Sequence, residues 1–534
     1  MAYTIPPSCV HCGICLPECP TGAIQIDKNN EHWVEPGLCD QCEDREGKPP
    51  CIDSCPDSLP LPLPTKKGRY KAEPRVLNTH HLFANGHNNP IASSMVIWEA
   101  CNLLAKGSVF PWATDRDVLY FERPVKQGKG KIEFHLTDDV SSDRPKLLGF
   151  VDATKTIEAM DIRAACVHLI FSALVTNLER PWEQEFAIDN KQLETYLGLN
   201  KRKDLTKAAK LTLIKTLVQQ PCKLLAQIDW PRQGKIADFS VAEDRIWHLV
   251  AIDNHFQEDS HGYKHLVGMT FRIKAGLWAK YFLNKQGYKK YLGYYQYGTL
   301  PKFLLTTVMT IWHQHEGTVR MMLWLLFKTK MGKQQRITIP RLMYVAYGEA
   351  EVQKAAIHRD KRKRLLRRFE SDLEVLHHYK IKPVFDPVTY PTIIQPMWAK
   401  LAAVPDDADE AMEFWINDGC NETSITDPAP PGKWNLLMKA RILYFELPEE
   451  WDKQLSRWEN KKQRKTKRKT STKTISNLTG EQISLARKNL GISQRKLAQK
   501  LGKSQSWIRD IENSRFAAKP GDRLKLKKIL QIEE

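Results

Sequence analysis

The sequence predicts a multidomain α+β protein: a cysteine-dense head, a mixed α/β middle and an all-helical tail. Three observations carry this. Eight of the 12 cysteines fall within the first 55 residues. Residues 81–450 alternate helical and strand patterns, and residues 478–531 carry only short helical periods. At 534 residues there is room for about three or four domains. A composition 42% hydrophobic and 27% charged supplies ample core and excludes a disordered or fibrous chain.

Eighty-one Lys and Arg against 62 Asp and Glu leave a formal +19, which favours a polyanionic partner, nucleic acid first. The charge is unevenly placed. Residues 1–60 hold Lys28, Arg45 and Lys48 against ten acids, a net of −7, which leaves +26 on the other 474 residues. The start, Met1 to Cys9, has no basic and apolar signal pattern. The greasiest stretches, Phe303 to Trp312 and Met321 to Phe327, fall short of the ~20 residues that span a bilayer. A cytoplasmic protein with no membrane partner is expected.

In the head (1–60), the first four cysteines read Cys9-x2-Cys12-x2-Cys15-x3-Cys19-Pro20. This is the bacterial ferredoxin run, in which three thiolates hold one cubane and the fourth reaches across to another. Cys39-x2-Cys42-x8-Cys51-x3-Cys55-Pro56 repeats it with an eight-residue insertion. By that pairing Cys9, Cys12, Cys15 and Cys55 hold one [4Fe–4S] cluster, and Cys39, Cys42, Cys51 and Cys19 a second. Thr21 to Asp27 follows as a turn into a short strand. Disulfides do not suit an intracellular chain. Structural zinc does not need the triple Cys9/Cys12/Cys15, and an empty, degenerate fold would have lost ligands. Cys101, Cys166, Cys222 and Cys420, scattered singly, read as buried thiols.

Residues 61–80 form a Pro-rich linker, and Leu59-Pro-Leu-Pro-Leu-Pro64 should hold the head off the body. The middle shows no Walker loop, GxGxxG, HExxH or Ser/His/Asp set, so no enzyme is expected. Two stretches, about 180–255 and 300–390, share a shape. In the first, Asn190 to Leu199 is a helix and turn, and Lys203 to Val218 an amphipathic helix with Leu205, Ala208, Ala209, Leu213 and Leu217 inward. Lys223 to Trp230, Ile236 to Val241 and Arg245 to Ile252 follow as strands of a wing. In the second, Thr338 to Gly348 precedes a helix over Arg359 to His378 with Leu365, Leu366, Phe369 and Leu373 inward, and Lys380 to Phe385 is a wing strand. Both look like winged helices, which replication initiators use in tandem; this is an analogy of fold. Arg362, Arg364 and Arg367 would then meet phosphates. His313, His315, His377 and His378 read as surface or core residues before they read as metal ligands.

Residues 452–477, with the run Lys461 to Lys469, form a basic, disordered linker suited to tracking phosphates. In the tail (478–531), Thr479 N-caps a helix through Leu490 with Ile483, Leu485, Ala486 and Leu490 as core and Gly491 as stop. Ser493 to Lys500 is a second helix, Leu501-Gly-Lys503 a turn, and Ser504 to Asn513 a third helix. Ala498 is small where helices cross, Gly502 can take the left-handed turn, and Leu497, Ile508 and Ile511 fill the seam: a helix-turn-helix.

On these residues the tail resembles the lambda-repressor-like (XRE) family. The resemblance implies that the third helix, opened by Ser504, enters the major groove. Gln505, Ser506 and Arg509 then face bases, with Arg509 suited to guanine and Gln505 to adenine. Gln494 and Asn513 grip phosphates, and Arg487 with Glu512 form a structural ion pair. Trp507 departs from the commoner small residue.

Head and tail in this order resemble the cyanobacterial nitrogen-fixation regulators. The resemblance implies an iron–sulfur activator of nitrogenase genes when oxygen is low. Its cofactors would be two [4Fe–4S] clusters, and its partners double-stranded promoter DNA, RNA polymerase and a second copy of the chain. An iron–sulfur electron-transfer protein and a plasmid-type replication initiator are the alternatives.

Overall fold

The computed structural model describes all residues except 1–2, 7, 28–29, 36–37, 41, 43–46, 63–70, 73–80, 141–144, 259–263, 330–335, 403, 421–424, 426–429, 449–450, 452–478, 514, 517, 519 and 533–534. Two compact units result, residues 1–453 and 454–534.

The head contains β1 (Tyr3–Thr4), α1 (Cys15–Glu18), β2 (Ile24–Ile26), β3 (His32–Val34), α2 (Pro50–Asp53) and β4 (Leu61–Pro62). β2 is the expected short strand, and it pairs with β3 as a hairpin, Ile24 opposite Val34. Ile5, Ala23, Ile24, Val34 and Cys51 make its small core. The Pro-rich segment does not hold the head away. Leu59 is buried, and β4 closes the head by pairing with β1, Tyr3 opposite Pro62. Proline's missing N–H costs little in so short an edge pairing. The head lies on the body, with Trp33 edge-on to Phe256 at 5.1 Å and Glu35 paired with Lys215 at 2.6 Å.

The body opens with β5 (Lys71–Ala72), β6 (Asn88–Ala92), α3 (Met95–Lys106), β7 (Ala113–Asp115), β8 (Val118–Val125), β9 (Gly130–Leu136) and α4 (Phe150–Glu158). A first helix-and-sheet module runs α5 (Ala164–Leu174), β10 (Glu185–Asp189), α6 (Asn190–Tyr196), α7 (Lys207–Cys222), β13 (Trp247–Glu258) and β14 (Lys264–Ala275). Between α7 and β13 stands the hairpin β11 (Leu224–Trp230) and β12 (Phe239–Arg245). The module's sheet has the order β10-β14-β13-β5, whereas the hairpin belongs to a separate sheet, β12-β11-β9-β8-β7. Asp189 caps α6 in a capping box with Gln192, and Thr206 caps α7.

Two sequence expectations change here. α7 starts at Lys207, and its buried face is Leu211, Ile214, Leu217 and Val218; Ala209 is exposed, and Leu205, Ala208 and Leu213 are only partly buried. The wing expected between Ile236 and Ile252 is divided between two sheets. Arg245, fully buried, forces that division: its guanidinium donates to the carbonyls of Cys222 and Asp139, anchoring the chain where it changes sheet. The hairpin of this module is instead β13–β14, with Leu249 opposite Ile273. Trp247 Nε1 donates to His168 Nδ1 at 2.9 Å, so His168 Nε2 donates to the Ile97 carbonyl at 3.0 Å. Burial lowers that imidazole to about 4 despite this bond, so it stays neutral in the core.

After α8 (Trp278–Phe282), α9 (Lys285–Lys289), β15 (Tyr297–Pro301, paired with β6) and α10 (Lys302–Ile311), a second module follows. It runs α11 (Glu316–Lys328), β16 (Ile337–Thr338), α12 (Ile339–Tyr347), α13 (Glu349–Ile357), α14 (Arg359–His378), β17 (Lys382–Phe385) and β18 (Arg441–Glu446). Its sheet order is β16-β18-β17. The first strand pairs with the last and the last with the middle one, as in the first module. α15 (Met397–Leu401), α16 (Ala408–Gly419) and α17 (Lys433–Leu437) lie in a long insertion between β17 and β18.

Asp372 ties this module together. It accepts from Tyr347 Oη at 2.5 Å and Thr318 Oγ1 at 3.0 Å, and it meets His315 Nδ1 at 3.2 Å. Gly317 permits the approach, because a Cβ there would stand 2.1 Å from Asp372 Oδ2. α14 buries Leu365, Phe369 and Leu373 as expected, and Leu376 besides; Leu366 is half-buried.

The second unit has α18 (Gly480–Asn489), α19 (Gln494–Leu501), α20 (Gln505–Glu512) and α21 (Pro520–Leu530). Thr479, Ser493 and Ser504 are the N-caps, and Gly502 turns between α19 and α20 at φ 64°. Ile483, Leu497, Ala498, Ile508 and Ile511 fill the core, but Leu485 is 65% and Leu490 39% exposed. The unpredicted α21 supplies Leu526 and Leu530 to the core instead. The basic run Lys461 to Lys469 lies outside the described residues.

Candidate iron–sulfur head and nucleic-acid interface

All eight head cysteines are free thiols, as are Cys101, Cys166, Cys222 and Cys420. Of the last four, Cys420 is exposed, contrary to expectation: it follows the end of α16, a solvent-facing helix with only Asp418 buried.

The head loops gather the eight into two neighbourhoods. Cys15 is raised first by its burial and then by the charges of Cys9, Cys55 and Cys12. Cys51 is pushed up to about 11, again first by burial and then by Cys19, Cys42, Cys39 and, last, Cys15. A small cavity is lined by Cys9, Cys12, Cys15 and Cys55, together with Ile5, Ile14, Leu59 and Pro60. Crowded, half-buried thiols of like charge resist ionising alone. A polycationic iron group reverses that, because it binds the thiolate form.

The local backbone suits such a group. Gly13 takes φ 78° and His11 φ 55°, so the chain wraps tightly between Cys9 and Cys15. Amides point at sulfur: His11 N donates to Cys9 Sγ at 3.4 Å and Ala23 N to Cys19 Sγ at 3.2 Å. At Cys19 burial acts upward, but the hydrogen bonds from Thr21 and from the amides of Ala23, Thr21 and Ile24 outweigh it and lower the thiol. Among the described residues no three or more His, Cys, Asp or Glu are placed to hold a single metal ion. A cubane sets its four thiolates around a wider body than one ion does.

Glu35 connects the head's second loop to the body. Its carbonyl accepts from the Cys39 amide at 3.2 Å, and its carboxylate, almost fully buried, meets Lys215 on α7 at 2.6 Å.

In the tail, α20 presents Gln505, Ser506 and Arg509 to solvent, with Ser504 and Asn513 exposed at its two ends. Gln494 does not point outward. Its Nε2 donates to Glu512 at 2.8 Å, joining the Arg487–Glu512 pair, in which Arg487 Nε stands 2.6 Å from Glu512. Trp507 packs near Phe516 with Lys503 over its ring, so it fills the edge of the fold.

In α14, Arg364 and Arg367 are exposed, whereas Arg362 donates to the Ala355 carbonyl and lies over Trp434. His377 packs on Trp398 at 5.0 Å and His378 on Tyr379. His313 stands edge-on to Trp312. The sequence offered no signal for Glu35, Lys215 or His32. Each acquires its meaning from a partner far along the chain.

These features define a class: a ferredoxin-type iron–sulfur domain and a helix-turn-helix DNA-binding domain on one chain. Comparison with known proteins agrees. Residues 2–25 match the 4Fe-4S binding domain family, and residues 483–532 match the helix-turn-helix family. The ferredoxin-like protein in the nif region of Nostoc sp. is 46% identical over 57 residues, 10% of this chain and 49% of that protein. The chain thus spans about half the length of these nif-region relatives. Ferredoxin-1 of Chlorobaculum tepidum is 36% identical over 56 residues, 10% of this chain and 89% of that protein. Through its head the chain belongs to the ferredoxin family. A crystal structure of domains 2 and 3 of RctB aligns with 55% of this chain and 89% of that one at 12% identity and TM-score 0.28, too low to support any argument. No described helix is long and apolar enough to cross a membrane.

Proposed function

We propose that the chain is a cytoplasmic, non-enzymatic transcriptional regulator that activates nitrogen-fixation genes at low oxygen, with two [4Fe–4S] clusters setting its hold on promoter DNA. Cys9, Cys12, Cys15 and Cys55 hold the first cluster, and Cys39, Cys42, Cys51 and Cys19 the second. When bound, these clusters supply an oxygen-labile, redox-active centre. The supporting observation is Glu35, tied by its carbonyl to Cys39 and by its carboxylate to Lys215. Loosening of the Cys39 loop transmits to α7, biasing a DNA-competent arrangement of the body. RNA polymerase and a second copy of the chain are the further partners. The test is operator affinity and transcription, measured with loaded and iron-free protein; equal values in both forms overturn the switch.

Anoxically prepared protein should contain about eight iron and eight sulfide per chain, two cubanes of four each. A colourless preparation, or one carrying zinc, refutes the cluster assignment. On the tail, Arg509→Ala should relax base preference at one position and weaken specific binding by about 1–3 kcal/mol. An unchanged footprint and affinity would show that α20 is not the reading helix.

A second reading is favoured by the two modules in the body. Both have the strand order of winged helices, and a tandem pair with α7 and α14 as the reading helices suits a replication initiator braced by iron–sulfur clusters. Protection of direct repeats at an origin supports that reading; protection of a promoter supports the regulator.

A further inference from the structure

His32 Nε2, Trp33 Nε1 and Ser54 Oγ are buried in the head without hydrogen-bond partners among the described residues, and of the three residues His32 lines the cavity of the first cysteine set, Cys9, Cys12, Cys15 and Cys55. His32 is 7% exposed. A Cβ on Gly13, in the loop between Cys12 and Cys15, would stand 3.8 Å from its Nε2. An unpaired buried nitrogen in a packed head is costly unless something meets it.

Its other nitrogen fixes its form. The main-chain N–H of His32 donates to His11 Nδ1 at 3.1 Å, so that nitrogen of His11 carries a lone pair. The rings stack at 5.3 Å and 12°, with the two Nδ1 atoms 3.1 Å apart. Two lone pairs facing at that distance would repel. His32 Nδ1 therefore carries the proton, and the neutral ring leaves its Nε2 lone pair facing the cavity. A histidine with one nitrogen held by a partner and the other bare has the arrangement of a metal ligand.

Five donors thus surround a site with four iron corners, and Cys12 is the solvent-exposed one. We propose that His32 is a reserve iron ligand of the first cluster, taking the corner of Cys12 when that thiolate is lost. This rests on the two-cluster reading. The exchange breaks one iron–sulfur bond and forms one iron–nitrogen bond; Cys12 leaves as thiolate, the iron oxidation state is unchanged, and the site becomes one unit less negative.

The test uses full-length Cys12→Ala, reconstituted anoxically, with and without ¹⁵N-histidine. Iron should stay near the wild-type amount, and pulsed EPR of the reduced protein should show a directly bound histidine nitrogen. Cys12→Ala/His32→Ala should lose about half the iron and the nitrogen signal; the retained second cluster reports that the head still folds. If Cys12→Ala alone loses that half, or keeps its iron with no nitrogen coupling, the inference is overturned. Iron-free wild-type protein would instead overturn the two-cluster reading, and this inference with it.

Discussion

Arg487→Met should unfold the C-terminal helix-turn-helix and abolish its DNA binding, at a cost of about 3–5 kcal/mol. Arg487 joins three parts of that domain. From α18 its guanidinium grips both oxygens of Glu512 on α20, at 2.6 and 3.1 Å, and donates to the Ile492 carbonyl before α19 at 2.8 Å. Both side chains are mostly buried. Removing the cation leaves Glu512 buried with only Gln494 as donor, and a domain of this size has few kcal/mol in reserve. Arg487→Met/Glu512→Leu should restore folding, since replacing a buried pair by apolar groups is often neutral. Thermal melts of the two variants decide this; a single variant as stable as wild type defeats it.

The same pair predicts a pH dependence. Burial acts to raise Glu512, but the hydrogen bonds from Arg487 and Gln494 outweigh it, and its carboxyl lies below the usual range. The stabilisation is therefore fully present above the unfolded value of about 4.3 and is lost as pH falls through the lower folded value. The double variant should lack this acid-labile component.

How much of this could be read from the sequence depended on the range of the interaction. Cys9 to Cys55 declare their chemistry by spacing, and the tail's caps at Thr479, Ser493 and Ser504 lie next to the helices they start. Even Arg487 and Glu512, 25 residues apart, were readable because the tail resembles a known family. Leu485 and Leu490 misled because a helical period marks one face without saying that α21 would cover another. β14 and β18 went unread since strands acquire partners through long-range pairing: β18 meets β17 across residues 386–440. The Pro-rich segment read as a spacer, yet two of its residues pair with Tyr3 and Thr4. Glu35 and Lys215 are 180 residues apart, and neither has a local pattern that predicts the other.

That contact carries the second large prediction. Lys215→Met should loosen the head on α7 and bring the DNA affinity of cluster-loaded protein to that of the iron-free form. Glu35 is nearly fully buried while Lys215 is about a quarter exposed, so solvent screens the pair in part and breaking it should cost about 2 kcal/mol. Trp33 against Phe256 keeps the head near its place, so the expected loss is of coupling and not of folding. Charge reversal separates the two. Glu35→Lys alone should set two cations together and behave like Lys215→Met or worse, whereas Glu35→Lys/Lys215→Glu should recover much of the coupling. Operator affinities of loaded and iron-free protein, measured for wild type, Glu35→Lys, Lys215→Glu and the double reversal at one salt concentration, give the cycle directly. If the loaded-to-free ratio survives in Lys215→Met, the head does not act through α7. The route from cysteine to DNA must then leave the head by another surface.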